Sequence, residues 1–369
     1  MKSLQKIAIK VGTSTLTQGS KKLSRRFMLQ LAMQMVSLIE AGHQVVLISS
    51  GAIAAGKEVL APRSDHLPVP LKQMYAAIGQ VELMHLWKEL FLLFEIHVAQ
   101  LLLTGDDFSH RKRYLNARDT LCHLLSHHVL PIINENDTTA TREIRVGDND
   151  NLAAYVANLI GADLLILLTD QAGLFEKDPR VDPEAKLIKE VLVIDESIDK
   201  MAKGSKTKLG TGGMATKIQA ARIAVQSGIP TVIASAAEEN VLLRIVAHEP
   251  IGTRFHSQTT QKESRKRWLI SEKKQGQIFV DEGAAVKIVH HGASLLPSGI
   301  HSVEGSFDRG AIVHILSGDE PIACGITNYN DAELKVLIGS HSTKIEDLLG
   351  YTYGDEVIHR TNMTRIKLS

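Results

Sequence analysis

Leu164-Leu165-Ile166-Leu167-Leu168-Thr169, followed by Asp170, is the most apolar strand-like run of the chain. Such a run, bounded by a small polar pair, fits a strand buried on both faces better than one alternating between core and water. Related stretches recur on either side. Lys6–Val11 (KIAIKV) runs into Gly12-Thr13-Ser14, and Val45–Ile48 into Ser49-Ser50-Gly51-Ala52. His97–Leu103, Pro131–Asn134, Leu187–Ile194 and Thr231–Ala234 extend the series. Helical periodicities lie between them. Ser24 caps a run in which Phe27, Met28, Leu31, Met35, Leu38 and Ile39 repeat at three and four, closed by Gly42. Leu71–Phe94, Asn116–Ser126, Leu152–Ile160 and Met214–Ser227 complete the alternation. Continuous apolar strands alternating with helices predict an α/β fold, a largely parallel sheet covered on both faces. Ligands bind such sheets beyond the carboxyl ends of the strands.

The polar motifs fall at those ends: Lys10 and Gly12, Ser50-Gly51, Asn134 to Asp137, and Thr169-Asp170 with Gly173. Between the fourth strand and LLILLT stands Arg145-Val146-Gly147-Asp148-Asn149-Asp150-Asn151-Leu152. Four Asp and Asn residues at a helix entrance exceed what one N-cap needs. An over-capped helix and a ligand-holding turn both fit. An EF-hand does not, because its third ligand position falls on Leu152 and no Glu closes the loop. Gly210-Thr211-Gly212-Gly213-Met214-Ala215-Thr216-Lys217 is a second glycine-rich entrance. It lacks Walker spacing, and KGSKTKL before it is no strand, which rejects a dinucleotide fingerprint. A loop of this kind entering a helix favours a phosphate, and Lys217 adds a full positive charge. Lys10, in a strand otherwise built of Ile, Ala and Val, is costly to bury unpaired. Over the rim it becomes a second cation, and a carboxylate between the two lysines would relieve their repulsion; Asp150 is a candidate.

The bulk properties exclude several classes. The 369 residues are 44% apolar and 22% charged with a formal net charge of +1, so no global attraction draws the chain to nucleic acid or an anionic membrane. No apolar run reaches the length of a membrane span, and Met1–Leu4 carry no signal-peptide pattern. Cys122 and Cys324 lie far apart without metal spacing, so a reducing, cytoplasmic setting is expected and no protein-held metal. After Phe255 the pattern changes. His256–Arg267 is polar and reads as a linker, and from about Gln275 short strand-like segments (Ile278–Val280, Ala285–Val289, Ala311–Leu316, Ile322-Ala323) are separated by glycines. The expected organisation is 1–256, a linker at 257–274, and a small β-rich module at 275–369.

In this order, K-x-G-T-S at Lys10–Ser14, S-S-G-A at Ser49–Ala52, I-N-E-N-D at Ile133–Asp137, V-G-D-N-D-N-L at Val146–Leu152, L-T-D at Leu168–Asp170 and G-T-G-G-M-x-T-K at Gly210–Lys217 closely resemble the glutamate 5-kinase family. That family is a branch of the amino acid kinase superfamily, and the resemblance covers nearly the whole chain. Gly292–Ile300 and Gly305–Gly310 resemble the PUA module that many bacterial members carry. The resemblance implies a three-layer αβα sandwich of the amino acid kinase fold, a catalytic domain at 1–256 and a PUA domain at 275–369. It implies ATP-dependent phosphorylation of the γ-carboxylate of L-glutamate, the first step of proline biosynthesis.

Carried over by position, the family's glutamate contacts fall on Ser50, Gly51, Asp137 and Asn149. Its ATP contacts fall on Lys10, Thr169, Asp170, Thr211, Gly212, Gly213, Met214, Ala215, Thr216 and Lys217. Lys10 and Lys217 match its phosphate-stabilising lysines, and Asp150 the aspartate that positions them. Ala215 stands where many members have Ser. Mg²⁺, feedback inhibition by proline and a homo-oligomer (dimer or tetramer) are further family expectations. Two alternatives compete: a sibling amino acid kinase acting on another substrate, and an RNA-binding or RNA-modifying protein using the PUA module. With aromatics at 4%, few stacking platforms favour the latter.

Overall fold

A computed structural model of the chain describes residues 4–62, 67–140, 149–203 and 213–366. Contacts divide it into two compact units, Met1–Ser109 with Ala117–Gln261, and His110–Asn116 with Lys262–Ser369. In the first, eight strands form one sheet: β1 (Lys6–Val11), β2 (Gln44–Ser49), β3 (Val98–Leu103), β4 (Leu130–Glu135), β5 (Leu164–Thr169), β6 (Glu190–Val191), β7 (Thr231–Ser235) and β8 (Thr253–Phe255). Their order is β3-β4-β2-β1-β5-β7-β8-β6, parallel throughout except for the β7–β8 pair.

LLILLT is buried along its whole length and is hydrogen-bonded between β1 and β7, which is why it tolerates no polar residue before its end. Ile7, Ile9 and Val11 turn one way, into a core shared with Leu31 and Met35 of helix Arg25–Glu40 and Leu83 and Trp87 of helix Val69–Leu92. Each such side chain contributes about 1.5–3 kcal/mol on burial. Helices Asn149–Ile160 and Met214–Gln226 pack together and lie against strands of the same sheet. The layers are therefore helix, sheet, helix. The predicted cap at Ser24 forms, its hydroxyl accepting from the Phe27 N–H, and Gly42 closes that segment at φ 89°.

The second unit holds a five-stranded sheet of β9 (Gly276–Val280), β10 (Ile300–Gly305), β11 (Ile312–Ser317), β12 (Glu320–Ile326) and β13 (Met363–Arg365), in the order β10-β9-β11-β12-β13.

Three segments differ from their sequence reading. Ala285–Val289 is not a strand but part of helix Glu282–His291. Asp281 caps it by accepting from the Ala284 N–H at 2.7 Å, Ala285 and Ile288 are buried one turn apart, and Gly292 ends it at φ 62°. The polar stretch read as a linker contains helix Gln261–Ser271, with Leu269 buried beside Leu115, Ile312, Cys324 and Ile326. Its charges are the solvated face of that helix. Of Leu187–Ile194, only Glu190–Val191 forms a strand; Leu192 and Val193 are exposed.

Candidate active site

The carboxyl ends of β1, β2, β4 and β5 share one rim, and strand order fixes the sequence of groups along it. At the end of β1, Lys10 is only 4% exposed. Its Nζ lies 2.5 Å from Oδ1 of Asp150, a fully buried residue in the first turn of helix Asn149–Ile160. Lys217, 5% exposed and one turn into helix Met214–Gln226, donates to Oδ2 of the same carboxylate at 3.0 Å. The Thr216 hydroxyl also donates to that oxygen, at 3.0 Å, and lies 2.7 Å from the Gly213 carbonyl. Burial works to raise the Asp150 pKa, but the two ammonium charges and their hydrogen bonds outweigh it and hold the carboxyl well below the usual range. Within this trio one carboxylate faces two ammonium groups. The cluster sits where the first N–H groups of two helices also begin.

Toward β2 and β4 the groups are neutral or acidic. Asn149 donates from its amide to Ser50 Oγ at 2.7 Å and to Asn134 Oδ1 at 2.9 Å. The Ser50 N–H donates to the Val11 carbonyl, which binds the end of β2 to that of β1. Gly51 adopts φ 112°, a left-handed conformation that a residue with a Cβ resists, and starts helix Ala52–Val59. Asp137 follows β4, half-buried, and burial pushes its carboxyl pKa up. Toward β5, Thr169 donates from its hydroxyl to Asp170 Oδ1 at 3.0 Å, and its carbonyl accepts from the Ala236 N–H. Gly173 packs against Thr253, whose hydroxyl accepts from Leu174 N–H and donates to the Ile188 carbonyl, tying down the start of the next loop.

The structure thus brings Lys10, Asp150, Thr216 and Lys217 into one cluster, and Ser50 and Asn149 into another. Gly213, Met214 and Ala215 form the entrance of helix Met214–Gln226, with Gly213 at its N-cap position. Thr211 and Gly212 lie outside the described residues, as does the start of the Arg145–Leu152 motif up to Asp148. Sequence reasoning placed Asn134 in a polar motif at a strand end without giving it a role, and passed over Gln80. Asn134 accepts from Asn149 and donates to Gln80 Oε1 at 2.7 Å. It had the signal that exposed Lys10, a polar side chain inside an apolar strand. Gln80 had none, being one glutamine on a long helix.

Residues 5–235 match the family model of the amino acid kinase family, and residues 276–349 that of the PUA domain. Among curated relatives, glutamate 5-kinase of Sodalis glossinidius is 50% identical over 364 residues, 98% of this chain and 99% of that protein. Those of Salmonella arizonae and Salmonella newport are each 47% identical, with the same coverage. Of solved structures, UMP kinase from Bacillus anthracis aligns at a TM-score of 0.47 and 15% identity, over 69% of this chain and 97% of that one.

Proposed function

The chain belongs to the amino acid kinase family and, within it, to the glutamate 5-kinases, and on that premise we propose how its rim carries out the transfer. ATP phosphorylates the γ-carboxylate of L-glutamate, giving L-glutamyl 5-phosphate and ADP. That carboxylate, with a pKa of about 4.3, is already ionised at neutral pH, so no general base is needed. A carboxylate oxygen forms the new O–P bond as the bond from the γ-phosphorus to the bridging oxygen breaks, and the electron pair leaves with ADP. The obstacle is the approach of one anion to another, which alignment and fixed cations lower.

The observation that carries the assignment is the order along the rim. Ser50, Asn149 and Asp137 lie toward β2 and β4, the Lys10–Asp150–Lys217 cluster at β1, and Thr169 and Asp170 at β5. Neighbouring strands lie about 4.8 Å apart, so β4 to β5 spans roughly 14 Å, room for glutamate and a γ-phosphate in line. Asp137 and the Asn149 carbonyl take the α-ammonium of glutamate. Lys10, Lys217 and the N–H groups entering helix Met214–Gln226 take the transferring phosphoryl group. Thr169 and Asp170 face the nucleotide. Asp150 keeps the lysines together. With both its oxygens facing lysines, Asp150 would not hold Mg²⁺, which would come with the nucleotide as Mg·ATP and neutralise charge on its phosphates. Feedback inhibition by proline, a homo-oligomer and a cytoplasmic setting complete the proposal.

The test is trapping of the acyl phosphate as a hydroxamate. Product should require both L-glutamate and Mg·ATP, with little formed from N-acetylglutamate or aspartate. Product from one of those acids and none from glutamate would overturn the substrate assignment.

A further inference from the structure

We infer that Gln73 and Gln80 on helix Val69–Leu92 are positioning residues that orient the two groups assigned to the glutamate ammonium, an inference resting on the glutamate reading above. Residues seven apart lie on one helix face. From that face Gln73 Nε2 donates to the Asp137 carbonyl at 3.1 Å, and Gln80 Oε1 accepts from Asn134 Nδ2 at 2.7 Å. The same helix therefore supports both candidate ammonium contacts, Asp137 through its main-chain carbonyl and Asn149 through Asn134.

The relay through Asn134 has a fixed polarity. The Glu135 N–H, which can only donate, lies 2.9 Å from Asn134 Oδ1 and identifies that atom as the acceptor. Asn149 Nδ2 donates to the same oxygen at 2.9 Å and to Ser50 Oγ at 2.7 Å, so both hydrogens of its amide are used. Its Oδ1 is then left buried, with no hydrogen-bond partner among the described residues. A buried carbonyl oxygen in that condition carries its full desolvation penalty, and a bound ammonium would remove it. Asn134 is 3% exposed, so its Nδ2 needs an acceptor too, and Gln80 supplies it. Without Gln80 the Asn134 Nδ2 loses its acceptor, and one of the two contacts that hold the Asn149 amide loosens in turn.

Backbone packing holds the helix at the required height. A Cβ on Gly79, next to Gln80, would lie 1.8 Å from the Ala52 carbonyl oxygen, and one on Gly56 2.0 Å from the Tyr75 carbonyl oxygen. Helices Ala52–Val59 and Val69–Leu92 therefore touch main chain to main chain, directly after Ser50 and Gly51. The amide relay and the Ser50 turn are parts of one rigid support.

The experiment compares Gln80→Leu, which keeps size and loses the acceptor, with Gln80→Glu, which keeps an acceptor oxygen. Steady-state constants are measured with glutamate and with Mg·ATP as the varied substrate. Gln80→Leu should raise the glutamate KM about tenfold while the ATP KM stays within about twofold, and Gln80→Glu should restore most of the loss. General loosening of the fold would raise both constants and would not be rescued by Glu. That pattern, or an unchanged glutamate KM in Gln80→Leu, overturns the inference. If Gln80→Leu does not fold, Gln73→Met is read by the same split. A wild-type protein inactive on glutamate would instead refute the reading on which this rests, so the two failures are told apart.

Discussion

Replacing Asp150 with Asn removes a negative charge that lies between two buried lysines while keeping the side chain's shape. In the wild type the carboxylate accepts from Lys10 at 2.5 Å and from Lys217 at 3.0 Å, and all three groups are at least 95% buried. An Asn there can accept from one ammonium but turns an NH₂ toward the other. Two ammoniums roughly 5 Å apart at an effective dielectric near 20 repel by about 3 kcal/mol. Breaking a buried pair by removing one partner costs about 3–5 kcal/mol, which agrees. For a domain of this size that corresponds to a melting temperature roughly 6–20 °C lower.

The loss has a pH signature whose sign follows from linkage. Native Asp150 titrates well below the usual carboxylate range, so its contribution is complete above about pH 4 and fades only as pH falls toward its native pKa. The gap between the proteins should be flat from about pH 5 to 8. Above that, any proton lost from the crowded ammoniums relieves the repulsion in the variant, so the gap narrows. Adding ATP should narrow it too, because phosphate oxygens bring the missing negative charge. Near-ultraviolet circular dichroism melts from pH 5 to 10 provide the measurement. A variant melting within about 2 °C of wild type at pH 7, or a gap unchanged to pH 10, would refute the charge accounting.

Lys10→Ala and Lys217→Ala should each lower kcat at least about tenfold, some 1.4 kcal/mol of barrier or more; near-normal turnover of either in the hydroxamate assay contradicts the phosphoryl role. Asp137→Asn should raise the glutamate KM about tenfold with kcat changed far less, because the ammonium contact is the same in ground and transition states. Burial lifts the Asp137 pKa, and only its ionised form attracts the ammonium. The wild-type glutamate KM should therefore climb as pH falls through that raised value, a climb absent from the Asn variant. Gly79→Ala forces a methyl to 1.8 Å from the Ala52 carbonyl oxygen, so about 1–3 kcal/mol of stability should be lost in a denaturant titration. An unchanged midpoint would mean that the two helices are free to separate.

The alternation of apolar strands and helices, the burial of LLILLT on both faces and the placing of polar motifs at strand ends were all legible in the chain. Each follows from local pattern. A strand buried on both faces cannot carry polar residues except where it leaves the core, and Lys10 announced itself by breaking that rule. Asn134 broke the same rule, with a buried amide at the end of β4. The segments after Phe255 were read less well. Ala285–Val289 has strand-like composition, and the cap at Asp281 and the partners buried by Ala285 and Ile288 decided for helix. Glu263 to Arg267 showed only charge, and Leu269 found its partners in segments far away in sequence. The sequence offered Asp150 as the carboxylate between the two lysines, and the fold brings it to them across 140 and 67 residues; tertiary structure alone determined that Gln73 and Gln80 reach Asp137 and Asn134. Periodicity records which way a side chain faces on its own element. Which groups meet depends on strand order and helix height, set by packing between segments remote in the chain.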